Sequence, residues 1–355
     1  MSESAGPPVF DGHNDMLLRL AGQAPEEATR RFFDGCGDGH LDWPRMRRGG
    51  FGGGLFAVFV PPGQPGPPVQ KTDDGYAKPL VEPLDPGEAL PRVMTMISRL
   101  MRLEAASAGR FRICRSVAEI RSAMAEGAVA AVLHFEGAEA IDRDFDALDV
   151  FHAAGLRSLG LVWSRPTAFG HGVPFRFPDT PDIGDGLTEA GFALVAACNR
   201  RRIAIDLSHL NEKGFWDVAR TSDAPLIASH SNAHAICPHP RNLTDDQLRA
   251  IADSGGIVGL NFATYFLRSD GGLAAGTPIT VMLDHLDHMI DVMGPSHVGF
   301  GSDFDGVGAM PEPLRDVSSL PLLQQAMQER GYDAATIRAI SQDNWLRVLE
   351  VTWGR

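Results

Sequence analysis

The sequence predicts a (β/α)8 TIM-type barrel with long loops at its C-terminal face. Three observations point there. Eight short runs are almost uniformly apolar, helical patterns separate most of them, and chemistry-bearing polar residues gather in the last residue or two of those runs. Strands covered on both faces read as continuous apolar runs. Their alternation with helices implies a parallel sheet, and eight such units close a barrel. A doubly wound open sheet is the structural alternative. No repeat, low-complexity tract or composition break divides the 355 residues, so one domain over 1–355 is expected.

The expected strands, in order, are 8–15 (PVFDGHND), 53–60 (GGLFAVFV), 128–136 (AVAAVLHFE), 155–163 (GLRSLGLVW), 201–209 (RRIAIDLSH), 225–231 (PLIASHS), 256–262 (GIVGLNF) and 297–303 (HVGFGSD). Helical patterns cover 88–107, 116–125, 144–153, 187–200, 211–220, 244–253 and 280–292. Asn211 is a helix cap by type, and Thr244 with Gln247 completes a capping-box pattern. The stretches 61–87 and 164–186 are long and rich in Pro and Gly. Each follows an expected strand, where loops border the active face of a barrel, so walls or lids of a pocket are expected.

The formal net charge of −13 argues against nucleic acid or an anionic membrane as partner. Cys36, Cys114, Cys198 and Cys237 form no C-x-x-C pair, so reduced thiols in a reducing compartment are expected. The opening "MSESAGPPVF" lacks the basic-then-apolar pattern of a signal peptide, and no apolar run is long enough to span a membrane. The expectation is a cytoplasmic protein. The sequence leaves a homodimer open.

The strand ends carry His13 and Asp15, Glu136, His209, His230 and Asp303. In a barrel these ends form one mouth, so distant residues converge. His13 and Asp15 share a strand face, about 7 Å apart along the chain. Ile203, Ile205, Leu207 and His209 alternate likewise, as do Leu226, Ala228 and His230, placing apolar layers beneath one polar residue. Each polar residue alone has an ordinary reading. Asp15 would cap the helix begun by "MLLRLAG", Asp303 a turn, and a lone histidine a structural hydrogen bond. Together, three imidazoles and three carboxylates at one rim make a poor core and a good site for a divalent cation.

The pieces "DGHNDM", "HFEGAEAI", "IDLSHLNEKGFWDV", "ASHSNAHAICPHPRNLTDDQL", "GSDFDG" and "DNWLRVLE" together resemble the membrane (renal) dipeptidase family of metallopeptidases, peptidase family M19, among the amidohydrolase-like barrels. The match runs in the family's order over nearly the whole chain. The resemblance implies a dipeptidase with two zinc ions, other divalent transition metals being able to substitute. His13, Asp15 and Glu136 would hold one, Glu136, His209 and His230 the other, with Glu136 bridging. It implies Asp303 as general base then general acid, and Arg241 as the grip on the dipeptide's terminal carboxylate. A small dipeptide, including one with a C-terminal D-residue, is the substrate implied.

One departure concerns the end of the fourth strand, where the family commonly has a substrate-binding histidine. Here "LGLVWSRP" puts Trp163 there, and an indole N–H donates but takes up no proton. His171 on the following loop is a replacement candidate, with loop packing as the alternative. Trp163 also keeps open a related hydrolase of a non-peptide amide, lactone or ester. A non-catalytic metal-binding barrel would predict a damaged ligand set, which the sequence does not have. Asp11 and His134 lie one step below His13 and Glu136, either as supports of the ligands or as unrelated buried polar residues. His234 and His239 are not needed as ligands.

Overall fold

The computed structural model describes residues 6–62, 68–274 and 276–354. Eight parallel strands follow one another in chain order, and a ninth short one, Phe111–Ile113, pairs with the third of them off this path. The eight are β1 (Val9–Asn14), β2 (Phe51–Phe59), β3 (Val129–Glu136), β4 (Leu156–Gly160), β5 (Ala204–Asp206), β6 (Ile227–Ala228), β7 (Ile257–Leu260) and β8 (Val298–Phe300). Every residue of β1, β2 and β3 is buried, as apolar strands covered on both sides must be. No ladder joins β8 to β1. The gap is closed just beyond the strands, where Asp303 N–H donates to His13 O at 3.0 Å and Asp15 N–H to Phe304 O at 2.8 Å. The Asp11 carboxylate adds a staple, accepting the Ser302 N–H and hydroxyl at 2.7 Å each. A barrel is thus the fold, and the open-sheet alternative falls.

Five strands, β4 to β8, are shorter than the apolar runs suggest, and side-chain carboxylates account for part of the difference. Asp206, the last residue of β5, accepts the N–H groups of Ser208 and Ser229. Both segments therefore leave the ladder early, β5 at Asp206 and β6 at Ala228. The Ser302 N–H is taken by Asp11, and β8 ends at Phe300. The alternation expected to run from Ile203 to His209 stops with β5. His209 instead sits in a turn with φ of 69°.

The expected helices appear with small shifts at their ends, for example Pro86–Ala106, Val117–Ala125 and Thr280–Met293. Asn211 Oδ1 accepts the Gly214 N–H, and Thr244 and Gln247 form the reciprocal box. Helices Met16–Ala21, Pro25–Asp34 and Trp43–Arg48 fill the β1–β2 connection, and Leu320–Arg330, Ala334–Arg338 and Asn344–Trp353 follow β8. Of these, only the helix begun by Met16 is expected from the sequence. The two long loops meet: Gln70–Lys71, Tyr76–Ala77 and Arg176–Phe177 form a three-stranded antiparallel sheet. Among the described residues no helix is long and apolar enough to cross a membrane.

Beneath the polar mouth, Phe10, Leu55, Val132, Ile227, Ile257 and Trp345 share one buried apolar cluster. Trp345 fits because two strand positions are glycine. A Cβ on Gly12 would stand 2.3 Å from the indole and 2.5 Å from Ser229 O, and one on Gly299 would stand 2.5 Å from its Nε1. The indole N–H donates to Phe300 O at 2.9 Å. Because backbone oxygen cannot move aside like a side chain, Gly12→Ala is expected to cost about 1–3 kcal/mol of stability. A urea midpoint lowered at unchanged slope would show it. A midpoint equal to the parent protein's would count against this packing.

Candidate metal centre

Glu136, the last residue of β3, lies at the middle of the site. Its Oε1 is 2.8 Å from His209 Nε2 and 3.4 Å from His230 Nε2, and those two nitrogens are 3.1 Å apart. Its Oε2 faces the other way, 3.8 Å from His13 Nε2, which in turn lies 3.4 Å from Asp15 Oδ2. The donor atoms of His13, Asp15 and Asp303 all lie within 4.8 Å of one another, as do those of Glu136, His209 and His230. Glu136 thus belongs to the second group and turns its other oxygen towards His13 of the first. Asp15 stands at a helix start, but its side chain makes no capping hydrogen bond. The helix-cap reading of Asp15 is thereby displaced.

The donors fit a cation. Tetrahedral bonds of about 2.0–2.1 Å put donor atoms about 3.3 Å apart, against the 2.8, 3.1 and 3.4 Å separations around Glu136 Oε1. Both ring nitrogens of His13 and Oδ1 of Asp15 are buried without a hydrogen-bond partner. Orphaned polar atoms of this kind are costly unless something else occupies their lone pairs.

The supporting residues set the tautomers. Asp206 Oδ2 accepts the Ser229 hydroxyl at 2.5 Å, and Ser229 Oγ lies 2.7 Å from His230 Nδ1. The serine has a single proton and gives it to the carboxylate, so His230 Nδ1 carries the hydrogen. Its Nε2 lone pair then faces the centre. His209 Nδ1 pairs with Ser164 Oγ at 2.8 Å, leaving its Nε2 for the same space. His134 pairs with Ser158 Oγ at 3.0 Å and lies edge-on to His13, 5.4 Å between centroids. It therefore packs against a donor residue. Asp11 staples β1 to Ser302 instead.

Burial governs the electrostatics. It pushes Glu136 well above the usual carboxylate range, helped by the charges of Asp15 and Asp303. It pushes Asp15 and Asp303 up to about 7. The same burial lowers His13, His209 and His230, which are neutral as a metal ligand requires. Asp303 is held by Asn261, whose Nδ2 donates to Oδ2 at 2.9 Å. The amide's direction is fixed because Asn261 Oδ1 accepts the Ala263 N–H. Both His209 and Asp303 adopt left-handed backbone, with φ of 69° and 60°. That conformation costs non-glycine residues energy and is commonly retained at functional sites.

Arg241 is buried beside the centre. It donates to His230 O at 3.0 Å and Ser231 Oγ at 3.4 Å, lies over the Phe266 ring at 5.4 Å, and keeps Nε unpartnered. Trp163 forms a wall of the cavity, its ring 5.8 Å from that of His209 and 4.9 Å from that of Phe59. The cavity, about 150 Å³, is also lined by Asp15, Glu136, His209, Tyr265 and Asp303. His171 does not line it. Its carbonyl accepts the Asn211 N–H, and its ring lies against Gly184. His234 is engaged by Asp179 O of the 164–186 loop, and His239 by the Arg241 N–H of its own loop.

Asp206, Asn261, Ser164 and Ser229 were not singled out in the sequence. Asp206 left a readable signal, an acid within the apolar run "IAIDL". The serines left only their adjacency to a ligand strand.

Two outcomes follow for metal binding. Asp15 and Glu136 must lose protons to bind a cation, and burial raises both. Affinity should therefore climb as pH rises towards about 7, where Asp15 gives up its proton. Calorimetry in buffers of different ionisation enthalpy should show more protons released per metal at pH 6 than at pH 8.5, and equal release would refute the raised values. Ser229→Ala should weaken metal binding by about 10–100-fold in chelator competition, as loss of a supporting partner does elsewhere.

Comparison with known proteins agrees with this architecture. The family model described as "Membrane dipeptidase (Peptidase family M19)" matches residues 4–352. A metallopeptidase from Rhodobacter sphaeroides, solved with a phosphinate mimic of the dipeptide L-Ala-D-Ala, is 53% identical. It superimposes with a TM-score of 0.94 over 98% of this chain and 100% of that one. An "Uncharacterized protein in pqqA 5'region" of Klebsiella pneumoniae is 47% identical over 268 residues, 76% of this chain and 98% of the relative. An amidohydrolase from Pseudomonas aeruginosa shares the fold at 23% identity and a TM-score of 0.75, over 98% of this chain and 97% of that one.

Proposed function

Since this chain belongs to the membrane dipeptidase family, peptidase family M19, whose members hydrolyse peptide bonds, we propose that it is a two-zinc dipeptidase. The observation that carries the proposal is the division of Glu136, one oxygen towards His209 and His230 and the other towards His13. On this reading His13, Asp15 and Glu136 hold one ion, and Glu136, His209 and His230 the second. Bound ions of this kind supply Lewis-acid polarisation of the scissile carbonyl and activation of water at neutral pH.

The protein's own groups do the rest. Asp303 takes the proton of the attacking water and returns it to the leaving amine. Its value of about 7, raised first by burial and then by the Asp15 charge, suits both directions of transfer. Asn261 occupies Oδ2 and leaves Oδ1 for the proton. Arg241 receives the dipeptide's terminal carboxylate, because a guanidinium fork matches a carboxylate's two oxygens. Trp163 closes the side of the cavity where the family commonly has a histidine. The L-Ala-D-Ala mimic bound by the Rhodobacter sphaeroides relative supports acceptance of a C-terminal D-residue. The four free cysteines support a reducing compartment such as the cytoplasm.

Trp163 favours the second reading, a small non-peptide amide, lactone or ester, because it removes a proton-transferring contact. Zinc-loaded protein should cleave dipeptides, L-D pairs included, faster than N-acyl amino acids or lactones, and the reverse order would select the second reading. Asp303→Asn should lower kcat by about 10²–10⁴-fold while metal content stays unchanged. Undiminished hydrolysis by that variant would remove Asp303 from the proton path. Arg241→Met should weaken cleavage of free dipeptides and leave C-terminally amidated ones unaffected; equal losses on both would take Arg241 off the carboxylate.

A further inference from the structure

A second cavity of about 410 Å³ opens directly outside the metal cavity. The two share Trp163, Phe175 and Tyr265, so these three rings form the neck between them. Beyond the neck the walls are Tyr76, Lys78 and Leu273, with glycine backbone and Val69 completing the lining. Lys78 is the one charged residue among the described lining residues. Its backbone N–H donates to Phe175 O at 2.8 Å, and its ammonium lies 5.8 Å over the Phe175 ring. Tyr76 stacks on Phe177, 6.1 Å between centroids at 25°. Both Tyr76 and Phe177 belong to the small sheet that joins the long loops, so the wall is built by paired backbone.

We propose that this vestibule is the specificity subsite of the enzyme, taking one side chain of a dipeptide, selecting a large apolar or aromatic group and rejecting a cationic one through Lys78. The inference rests on the dipeptidase reading. The metal cavity is well below the 300–1,000 Å³ usual for a ligand pocket, so the backbone of a dipeptide fills it and a long side chain must leave through the neck. Outside the neck that chain meets aromatic and aliphatic walls whose burial rewards apolar bulk. A methyl group leaves those walls wet. A lysine or arginine side chain brings a second cation to Lys78, where no carboxylate is among the described lining residues. This opposes the general pull of a chain of net charge −13 on cations.

The test is kcat/KM of the metal-loaded full chain on two series, X-Ala and Ala-X, with X as Ala, Leu, Phe and Lys. In one series Leu and Phe should exceed Ala by about tenfold or more, the usual scale for extra methylenes in an apolar pocket, and Lys should fall below Leu. Lys78→Glu should raise the Lys-to-Leu ratio in that same series by about tenfold. Tyr76→Ser should lower the Phe-to-Ala ratio there. An active enzyme with flat values in both series, or a Lys-to-Leu ratio that Lys78→Glu does not move, overturns the subsite and leaves the dipeptidase standing. Hydrolysis of no dipeptide at all overturns the dipeptidase reading and, with it, this substrate class.

Discussion

The structure is organised around a cluster of buried carboxylates and neutral imidazoles in which both ring nitrogens of His13 and Oδ1 of Asp15 have no protein partner. Glu136, Asp15 and Asp303 are pushed towards protonation by burial, and His13, His209 and His230 are pushed away from it. Without a cation, carboxyl groups and rings are held together at a desolvation cost that Asn261 and Arg241 offset only in part. With one, the same burial becomes useful, because a low-dielectric site strengthens attraction to a positive ion. The nearby Arg241 supplies a single positive charge and spends two donors on His230 O and Ser231.

That requirement reaches into the backbone. Asp11 and Asp206 take strand-end N–H groups that a longer sheet would have paired. The strands end early, and the residues just past them are free to turn. His209 and Asp303 use that freedom to enter left-handed conformations. A regular strand would have carried His209 on in alternation with Leu207 and Ile205. The same carboxylate that ends β5 also orients His230 through Ser229, so one acidic side chain serves both the barrel's geometry and its chemistry.

The division between what the sequence reveals and what it hides follows from this. The eight strands and their order are legible because apolar runs and helical periods are local properties. The clustered donors are legible because acids and histidines at the ends of such runs have no ordinary explanation together. Strand lengths were not legible, since nothing in "IAIDLSH" says that Asp206 will capture two N–H groups, one of them from the next strand. The serines behind His209 and His230 were hidden for a similar reason: a hydroxyl fixes a tautomer only through a partner distant in sequence. His171 looked available from its loop, but its placement against Gly184 depends on how residues 164–186 fold back, which no local pattern encodes.

Trp163 links the wall of the site to its proton inventory. It is held by Arg165, whose guanidinium lies 5.5 Å from the Trp163 ring and 5.7 Å from that of Phe59 while pairing with buried Glu139 at 2.6 Å. An arginine so fully enclosed fixes the indole rather than reaching substrate. The indole in turn occupies a place where an imidazole would have offered a second proton carrier. Of the other cavity-lining groups, Tyr265 is driven up by burial, and Asp305 is engaged by Arg19 and the His40 N–H. Asp15, Glu136 and His209 belong to the proposed ligand set. On the proposed mechanism, then, both proton transfers fall to Asp303 alone, and the chemistry of this chain depends on one carboxylate fixed by one amide.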